Sequence, residues 1–315
     1  MEKTLVIAGG GLAGLACGIR LAERGWNVTV HERRHYPLKK VCGEFLSPQG
    51  WRRVQSLGAA PFITQAPREL RRARFYSGPS QHFDFALAPV AWGISRASLD
   101  TALAERFRQL GGELLEGSEL QDLGPDVVDA RGRPTGSGDG NWVGWKAYLE
   151  PQDAPPELGE VDLIMLPVPG GYAGLSRIED GRVSMGLVAR SDARIPDLLV
   201  SHPILALRAE FLRAHASIAQ FNFKAYPGPR RIGDTRRVWP PLVGDGMSQA
   251  LGAGEALAQD LASGRSRWRP SIDLQFNVAR SLHTLMLTEA PRRAAAALCR
   301  TFPSVPAAIY KFSRG

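Results

Sequence analysis

Thr4-Leu5-Val6-Ile7-Ala8-Gly9-Gly10-Gly11-Leu12-Ala13-Gly14 opens the chain and decides its fold. Thr4 to Ala8 is a short apolar run, the pattern of a strand buried on both faces of a parallel sheet. Leu15 to Arg24 predicts a helix with Leu15, Ile19 and Ala22 on one face and Gly25 as its stop. Asn27 to His31 alternates around Val28 and Val30 and ends at Glu32. The segment is therefore a βαβ unit, with Gly9-x-Gly11-x-x-Gly14 at the turn from strand to helix.

Each residue of that turn has a physical task. Gly9 permits the tight turn, Gly11 removes the Cβ that would keep a pyrophosphate away, and Gly14 lets helix and strand pack closely. Gly9, Gly11, Leu12, Ala13 and Gly14 are then cofactor-binding: the phosphates rest on free N–H groups at the positive end of the helix. Glu32, at the end of the second strand, is placed to accept hydrogen bonds from a ribose diol, and its carboxylate disfavours a 2′-phosphate. The motif implies a dinucleotide and leaves FAD and NAD both open.

Composition sets the remaining bounds. The chain has 315 residues, 44% hydrophobic and 22% charged, which is ordinary globular usage. The net charge is +8 and comes almost entirely from arginine. Pairs such as Arg33-Arg34, Arg230-Arg231 and Arg236-Arg237 read as solvated surface or as attraction to anions. No basic block interleaved with aromatics points to nucleic acid. Cys17, Cys42 and Cys299 are far apart and the six histidines are scattered, so neither a disulfide framework nor a metal site is expected. The separated cysteines fit a reducing cytoplasm, no signal peptide is expected because Leu5 to Ala8 is too short for an h-region, and no apolar run suits an integral membrane segment. Peripheral membrane contact stays open.

Along the chain, a helix is expected at Pro48 to Leu57, antiparallel strands between Arg68 and Ile94, and a helix from Ser98 to Gln109. Short strands follow at Glu113 to Glu116 and at Val127-Val128, then a glycine-rich turn from Gly132 to Gly140. Strands are expected again at Trp142 to Leu149, Val161 to Leu166, Gly171 to Ile178 and Arg182 to Val188. Residues 202–218 read as helix, as do Gly246 to Ser263, Asp273 to Glu289 and Pro291 to Cys299. The fold class is α/β: a discontinuous Rossmann-like domain (1–67, 95–141 and 229–265), an inserted antiparallel-sheet substrate domain (68–94 and 142–228), and C-terminal helices (266–315).

Several segments add a resemblance. Lys39-Lys40-Val41-Cys42-Gly43-Glu44-Phe45-Leu46-Ser47-Pro48 resembles the Cys-Gly-Glu segment of geranylgeranyl-reductase-like flavoproteins, within the wider p-hydroxybenzoate-hydroxylase-fold superfamily of FAD enzymes. Ile94-Ser95-Arg96 with Leu99-Asp100 is similar to that family's arginine-containing helix start, and Val128-Asp129-Ala130-Arg131-Gly132-Arg133 to its Asp-Ala-x-Gly segment. Gly144-Trp145-Lys146-Ala147 and Gly174-Leu175-Ser176-Arg177 resemble substrate-domain strands. Ile232-Gly233-Asp234-Thr235, followed by Pro240 to Met247, is similar to the family's Gly-Asp-Ala segment and the glycine-rich helix start after it.

The resemblance implies FAD, with NADH or NADPH as a transient electron donor and a small-molecule substrate. It puts Arg33, Lys40, Cys42, Arg96, Ala130, Gly132, Asp234, Gly244, Gly246 and Met247 at cofactor-contacting positions. Asp234 would hold the ribityl chain, and the helix after it would face the flavin's O2 side. Cys42 and Glu44 are the catalytic candidates, with packing and capping as their bland alternatives. Tyr172, Trp145, Trp92 and Phe85 are candidate cavity linings, core packing being the alternative. The chain departs from the family at Thr235-Arg236-Arg237, where small residues are usual, and between Glu119 and Val127, which is short. The implied activity is that of a monooxygenase or reductase acting on an apolar, aromatic or prenyl-type molecule. An NAD-binding dehydrogenase and a degenerate, non-catalytic nucleotide-binding protein are the alternatives.

Overall fold

The computed structural model describes residues 2–133, 141–226, 228, 230–264 and 273–312. Its chain order begins β1 (Thr4–Ala8), α1 (Leu12–Ala22), β2 (Asn27–Glu32), β3 (Phe45–Leu46), α2 (Pro48–Ser56), β4 (Arg68–Tyr76), β5 (His82–Gly93) and α3 (Arg96–Gln109). It continues with β6 (Glu113–Glu116), β7 (Val128–Asp129), β8 (Trp142–Leu149), β9 (Leu163–Val168), β10 (Gly171–Arg177) and β11 (Val183–Arg190). The last elements are α4 (Ile195–Val200), α5 (Pro203–Ala206), α6 (Ala209–His215), β12 (Ser217–Phe221), α7 (Gly246–Ala262), α8 (Asp273–Leu287), α9 (Glu289–Thr301) and α10 (Ser304–Phe312).

Two sheets result. The first is parallel, in the order β6-β2-β1-β7. A further parallel bridge joins Asp129 to Arg231 and carries the sheet toward Gly233. Its core packs Ile7, Val28 and Val30 against Leu15 and Ile19 of α1, and against Leu99, Leu103 and Phe107 of α3. α7 closes the same layer. A Cβ on Gly254 would stand 2.2 Å from the Ala13 carbonyl oxygen, so the two helices touch backbone to backbone. Only glycine allows that approach.

The second sheet has the order β12-β8-β11-β10-β9-β4-β5-β3 and is antiparallel except for β4 beside β9. Strand alternation gives it two faces. One bears Trp145, Ala147, Leu175, Met185 and Leu187, which pack with Leu198, Leu199, Ile204 and Leu205 of α4 and α5. The other bears Gly144, Lys146, Tyr172, Gly174, Gly186 and Val188, paired in register across β8, β11 and β10.

The fold class is the one the sequence implies, and several boundaries shift. The helix after residue 94 starts at Arg96, because Ser95 rather than Ser98 is its cap: the Ser95 hydroxyl accepts from the Ser98 N–H at 3.0 Å. Residues 202–218 are not one helix. It divides at Leu207-Arg208 into α5 and α6, and Ser217 onward pairs with β8 as an edge strand. α10 is an element without a counterpart in the sequence reading. The expected turn from Gly132 to Gly140 runs into residues outside the described set, as do parts of the 266–315 segment.

Candidate cofactor and substrate site

Three chain segments converge at the carboxyl edge of the parallel sheet: 9–14, 130–132 and 233–235. Their closeness is set by glycine. A Cβ on Gly9 would lie 2.3 Å from the Ala130 carbonyl oxygen, and Gly9 itself has φ 110°, where side chains are strained. A Cβ on Gly14 would lie 2.0 Å from the Gly9 oxygen. Gly11, the N-cap of α1, is different: its missing Cβ would meet only the Lys40 ammonium, at 3.1 Å. The turn is closed toward the protein at Gly9 and Gly14 and open toward a ligand at Gly11. Leu12 and Ala13 bring the first helical N–H groups to that open side, as a phosphate site requires.

The flanking groups complete the cradle. Glu32 is buried, and its carboxylate accepts the Gly10 N–H at 3.0 Å and the Arg34 N–H at 3.2 Å. Tyr36 donates its hydroxyl to the Gly10 carbonyl. Burial lowers the affinity of the Lys40 ammonium for its proton, and among the described residues no side chain or carbonyl bonds it. A cation at the positive end of a helix is unfavourable unless an anion lies between them. Glycine-lined backbone and a partly buried cation without a hydrogen-bond partner among the described residues fit a dinucleotide pyrophosphate. Arg33 points elsewhere, half exposed and 3.8 Å from Glu119.

The other expected contacts surround this cradle. The Gly132 N–H donates to the Thr235 hydroxyl at 2.7 Å, and a Cβ on Gly233 would touch that of Ala13 at 2.9 Å. Asp234 thereby stands beside the start of α1, its carboxylate bonded by Arg133 at 3.1 Å. Arg133 also donates to the Val41 carbonyl and lies over the Phe221 ring. Gly244 adopts φ 66°, and Gly246 begins α7 with Met247 buried behind it. Asp245 between them accepts from Ser47 at 2.9 Å and from Gln249 at 2.7 Å. Arg237 stacks on Phe276 of α8.

Val41 to Glu44 crosses from this cradle onto the second sheet. The Ser184 hydroxyl donates to the Gly43 carbonyl at 3.2 Å, and the missing Cβ of Gly186 would be 3.6 Å from the Gly43 Cα. Lys146, 4% exposed, donates to the Cys42 carbonyl at 2.7 Å. Its ammonium is also 2.7 Å from Glu44 Oε2, off the hydrogen-bonding direction. Burial, first of all, lowers the lysine's proton affinity; the nearby Glu44 charge opposes that. Glu44 is fully buried at φ 57°. Its Oε1 accepts from the Tyr148 hydroxyl at 2.7 Å and from the Arg96 N–H at 2.9 Å. Those contacts make Glu44 a pin between α3 and the sheet. Arg96 binds Asp100 bidentately, at 2.6 and 2.8 Å, inside the same layer. The Cys42 thiol, half-buried, accepts the Glu44 N–H at 3.4 Å.

Beyond Val41 the sheet face becomes aromatic. Tyr172, Val188 and Phe221 pack with Trp142, Phe223, Met165, Phe75, Leu242 and Met286. Of the expected cavity linings, Tyr172 alone belongs here. Trp145 lies on the opposite face, Trp92 packs on Trp51 with ring centroids 5.2 Å apart, and Phe85 packs beside Leu70 and Leu87. Strand alternation, unknown in phase until the register is fixed, accounts for the difference. His283, which no sequence motif marks, joins this cluster from α8.

The chain is similar to several known proteins. Residues 4–37 match the profile of a family described as an FAD binding domain. The chain is 23% identical to the menaquinone reductase of Mycolicibacterium smegmatis, covering 90% of this chain and 84% of that protein. It is 32% identical to the kynurenine 3-monooxygenase of Xanthomonas oryzae pv. oryzae over 35% of this chain and 26% of that protein. The structure of 2-methyl-3-hydroxypyridine-5-carboxylic acid oxygenase superposes with a TM-score of 0.70 at 18% identity, covering 94% of this chain and 93% of that one. The fold is that of this oxygenase.

Proposed function

We propose that the chain is an FAD-dependent oxidoreductase, of monooxygenase type, acting on an apolar aromatic small molecule. The observation that carries this reading is the convergence of 9–14, 130–132 and 233–235 beside an aromatic-lined sheet face. On this reading a dinucleotide and an apolar substrate would both lie against the same crossing segment, Val41 to Glu44. The FAD-binding profile over residues 4–37 supports the cofactor, and the similarity to kynurenine 3-monooxygenase supports the reaction type.

Bound FAD supplies the redox chemistry, passing reducing equivalents from a donor to oxygen or to substrate. The chain's own residues bind and orient. The α1 N-terminus and Lys40 would hold the pyrophosphate, and Glu32 would hold the adenosine ribose. Asp234 serves the ribityl chain once Arg133 yields it. The N–H groups at the start of α7 would stabilise negative charge on a bound flavin. Cys42 and Gly43, kept in place by Lys146 and Ser184, would line the flavin side of the site. The aromatic face excludes water from the reacting atoms.

NADH or NADPH is the proposed donor, and the cytoplasm the proposed site of action. The test is oxygen uptake by the flavin-loaded protein with either nicotinamide and a panel of bicyclic aromatics. Uptake stimulated by one of them, with an oxygenated product, is expected; reduction of the flavin with no coupled product contradicts it.

A second reading is reduction of a quinone or prenyl chain, as in the geranylgeranyl-reductase-like flavoproteins. Similarity to a menaquinone reductase over most of both chains favours it, together with Cys42-Gly43-Glu44. Anaerobic turnover of a prenylated quinone separates it from oxygenation.

A further inference from the structure

His283 is 2% exposed, and its Nε2 has no hydrogen-bond partner among the described residues. Three rings enclose its imidazole edge-on: Trp142 at 4.6 Å, Phe223 at 5.0 Å and Tyr172 at 5.4 Å between centroids. The other ring nitrogen, Nδ1, lies 3.1 Å from the Tyr172 hydroxyl. This is the aromatic end of the sheet face on which Val41 to Glu44 rests. Leu242, two residues before Gly244, packs into the same cluster.

The network assigns the protons. Nδ1 is the one acceptor that meets the Tyr172 hydroxyl among the described residues. Of this pair a phenol O–H is the stronger donor and a neutral imidazole nitrogen the stronger acceptor. The Tyr172 proton therefore goes to Nδ1, and the imidazole, kept neutral by burial, carries its own proton on Nε2. A buried N–H donor left unmade is costly, and native structures rarely leave one.

We propose that His283 is the specificity-determining residue of the substrate site: its Nε2–H donates to a carbonyl oxygen on a flat aromatic or quinoid ring held among Trp142, Phe223 and Tyr172. Tyr172 is a positioning residue that fixes the donor tautomer. The ligand class is thus an acceptor-bearing ring, not a bare hydrocarbon. This rests on the flavoenzyme reading only in taking this sheet face as the substrate side.

The test titrates the purified protein calorimetrically with 2-acetylnaphthalene, which offers one carbonyl acceptor, and with 2-ethylnaphthalene, which offers none. Flavin content is measured on the same samples. The wild type should prefer the ketone by about tenfold, the worth of one well-made buried hydrogen bond. His283→Leu should abolish the preference while binding of the hydrocarbon stays within about twofold, since the apolar contacts remain. Tyr172→Phe keeps the imidazole but frees its tautomer, and should reduce the preference part of the way, which supplies a readout if His283→Leu does not fold. Equal affinity of the wild type for both compounds, no binding of either, or a preference that survives both substitutions overturns the proposal. A flavin-free protein that still prefers the ketone supports this assignment and contradicts the oxidoreductase reading. A flavin-loaded protein without the preference does the reverse.

Discussion

Lys40 stands over Gly11: the lysine ammonium is 3.1 Å from the point a Cβ on that glycine would occupy, at the N-terminus of α1. Cation and helix end repel, and among the described residues no carboxylate or carbonyl bonds the ammonium. The pairing makes sense with a diphosphate between them. Lys40→Met should weaken FAD binding about ten- to a hundredfold, the value of a charge-assisted hydrogen bond. The same change should leave the flavin-free protein as stable or slightly more stable, by about 0.5 kcal/mol, because it removes a poorly placed cation. Isothermal titration and urea unfolding measure the two effects. A lysine that merely supports the fold would show the opposite pair.

The three motif glycines should separate in their effects. Gly11→Ala meets only the end of a flexible lysine, so the unfolding midpoint should stay unchanged while FAD affinity falls. Gly14→Ala drives a methyl group into the Gly9 carbonyl, 2.0 Å away. It should destabilise the apoprotein by about 1–3 kcal/mol, as overpacking does. Equal destabilisation by both substitutions would contradict the open and closed sides assigned to this turn.

Glu44 and Lys146 are buried together, and removing one leaves the other charge without its partner. Glu44→Gln should destabilise by about 3–5 kcal/mol, and Glu44→Gln with Lys146→Met should recover most of that loss. Urea unfolding of the two singles and the double checks it. A Glu44 whose role is acid/base catalysis would instead lose turnover at nearly unchanged stability.

His283 sets a pH dependence. Burial moves its pKa from 6.5 down to about 4. Between those values the unfolded chain binds the proton and the folded protein does not, so stability rises with pH across that window and is lost as the solution is acidified through it. The total is about 3 kcal/mol at one proton. His283→Leu should flatten the urea midpoint between pH 6.5 and about 4, relative to wild type. An unchanged slope would show that the imidazole is solvated in the folded state.

How much of this was legible in the sequence depends on the range of each interaction. Gly9, Gly11, Gly14 and Glu32 act within one βαβ unit, and their spacing alone carries the turn and the acid behind it. The helix expected from Ser98 starts two residues earlier, at Arg96, because the Ser95 hydroxyl caps it. Ser217 and Ile218, read as the end of a helix, instead begin β12 because β8 offers an edge to pair with. Asp234, adjacent in sequence to Gly233, was legible as a site residue; that Arg133 would engage it was not, since 101 positions separate them. His283 carried no signal at all. It gains meaning only when α8 brings it onto Tyr172, a partner 111 residues away. Trp145 and Tyr172 look alike in the sequence, and the phase of the strand decides which of them faces the site.

The most direct measurement is FAD binding by the purified full chain, followed by the flavin's visible absorption and its fluorescence quenching, with wild type beside Gly11→Ala and Lys40→Met. Stoichiometric binding by the wild type, with clear weakening in both variants at unchanged unfolding midpoints, is the predicted result. A wild-type protein that is folded and takes up no FAD, or that binds it equally well in all three forms, would contradict the account.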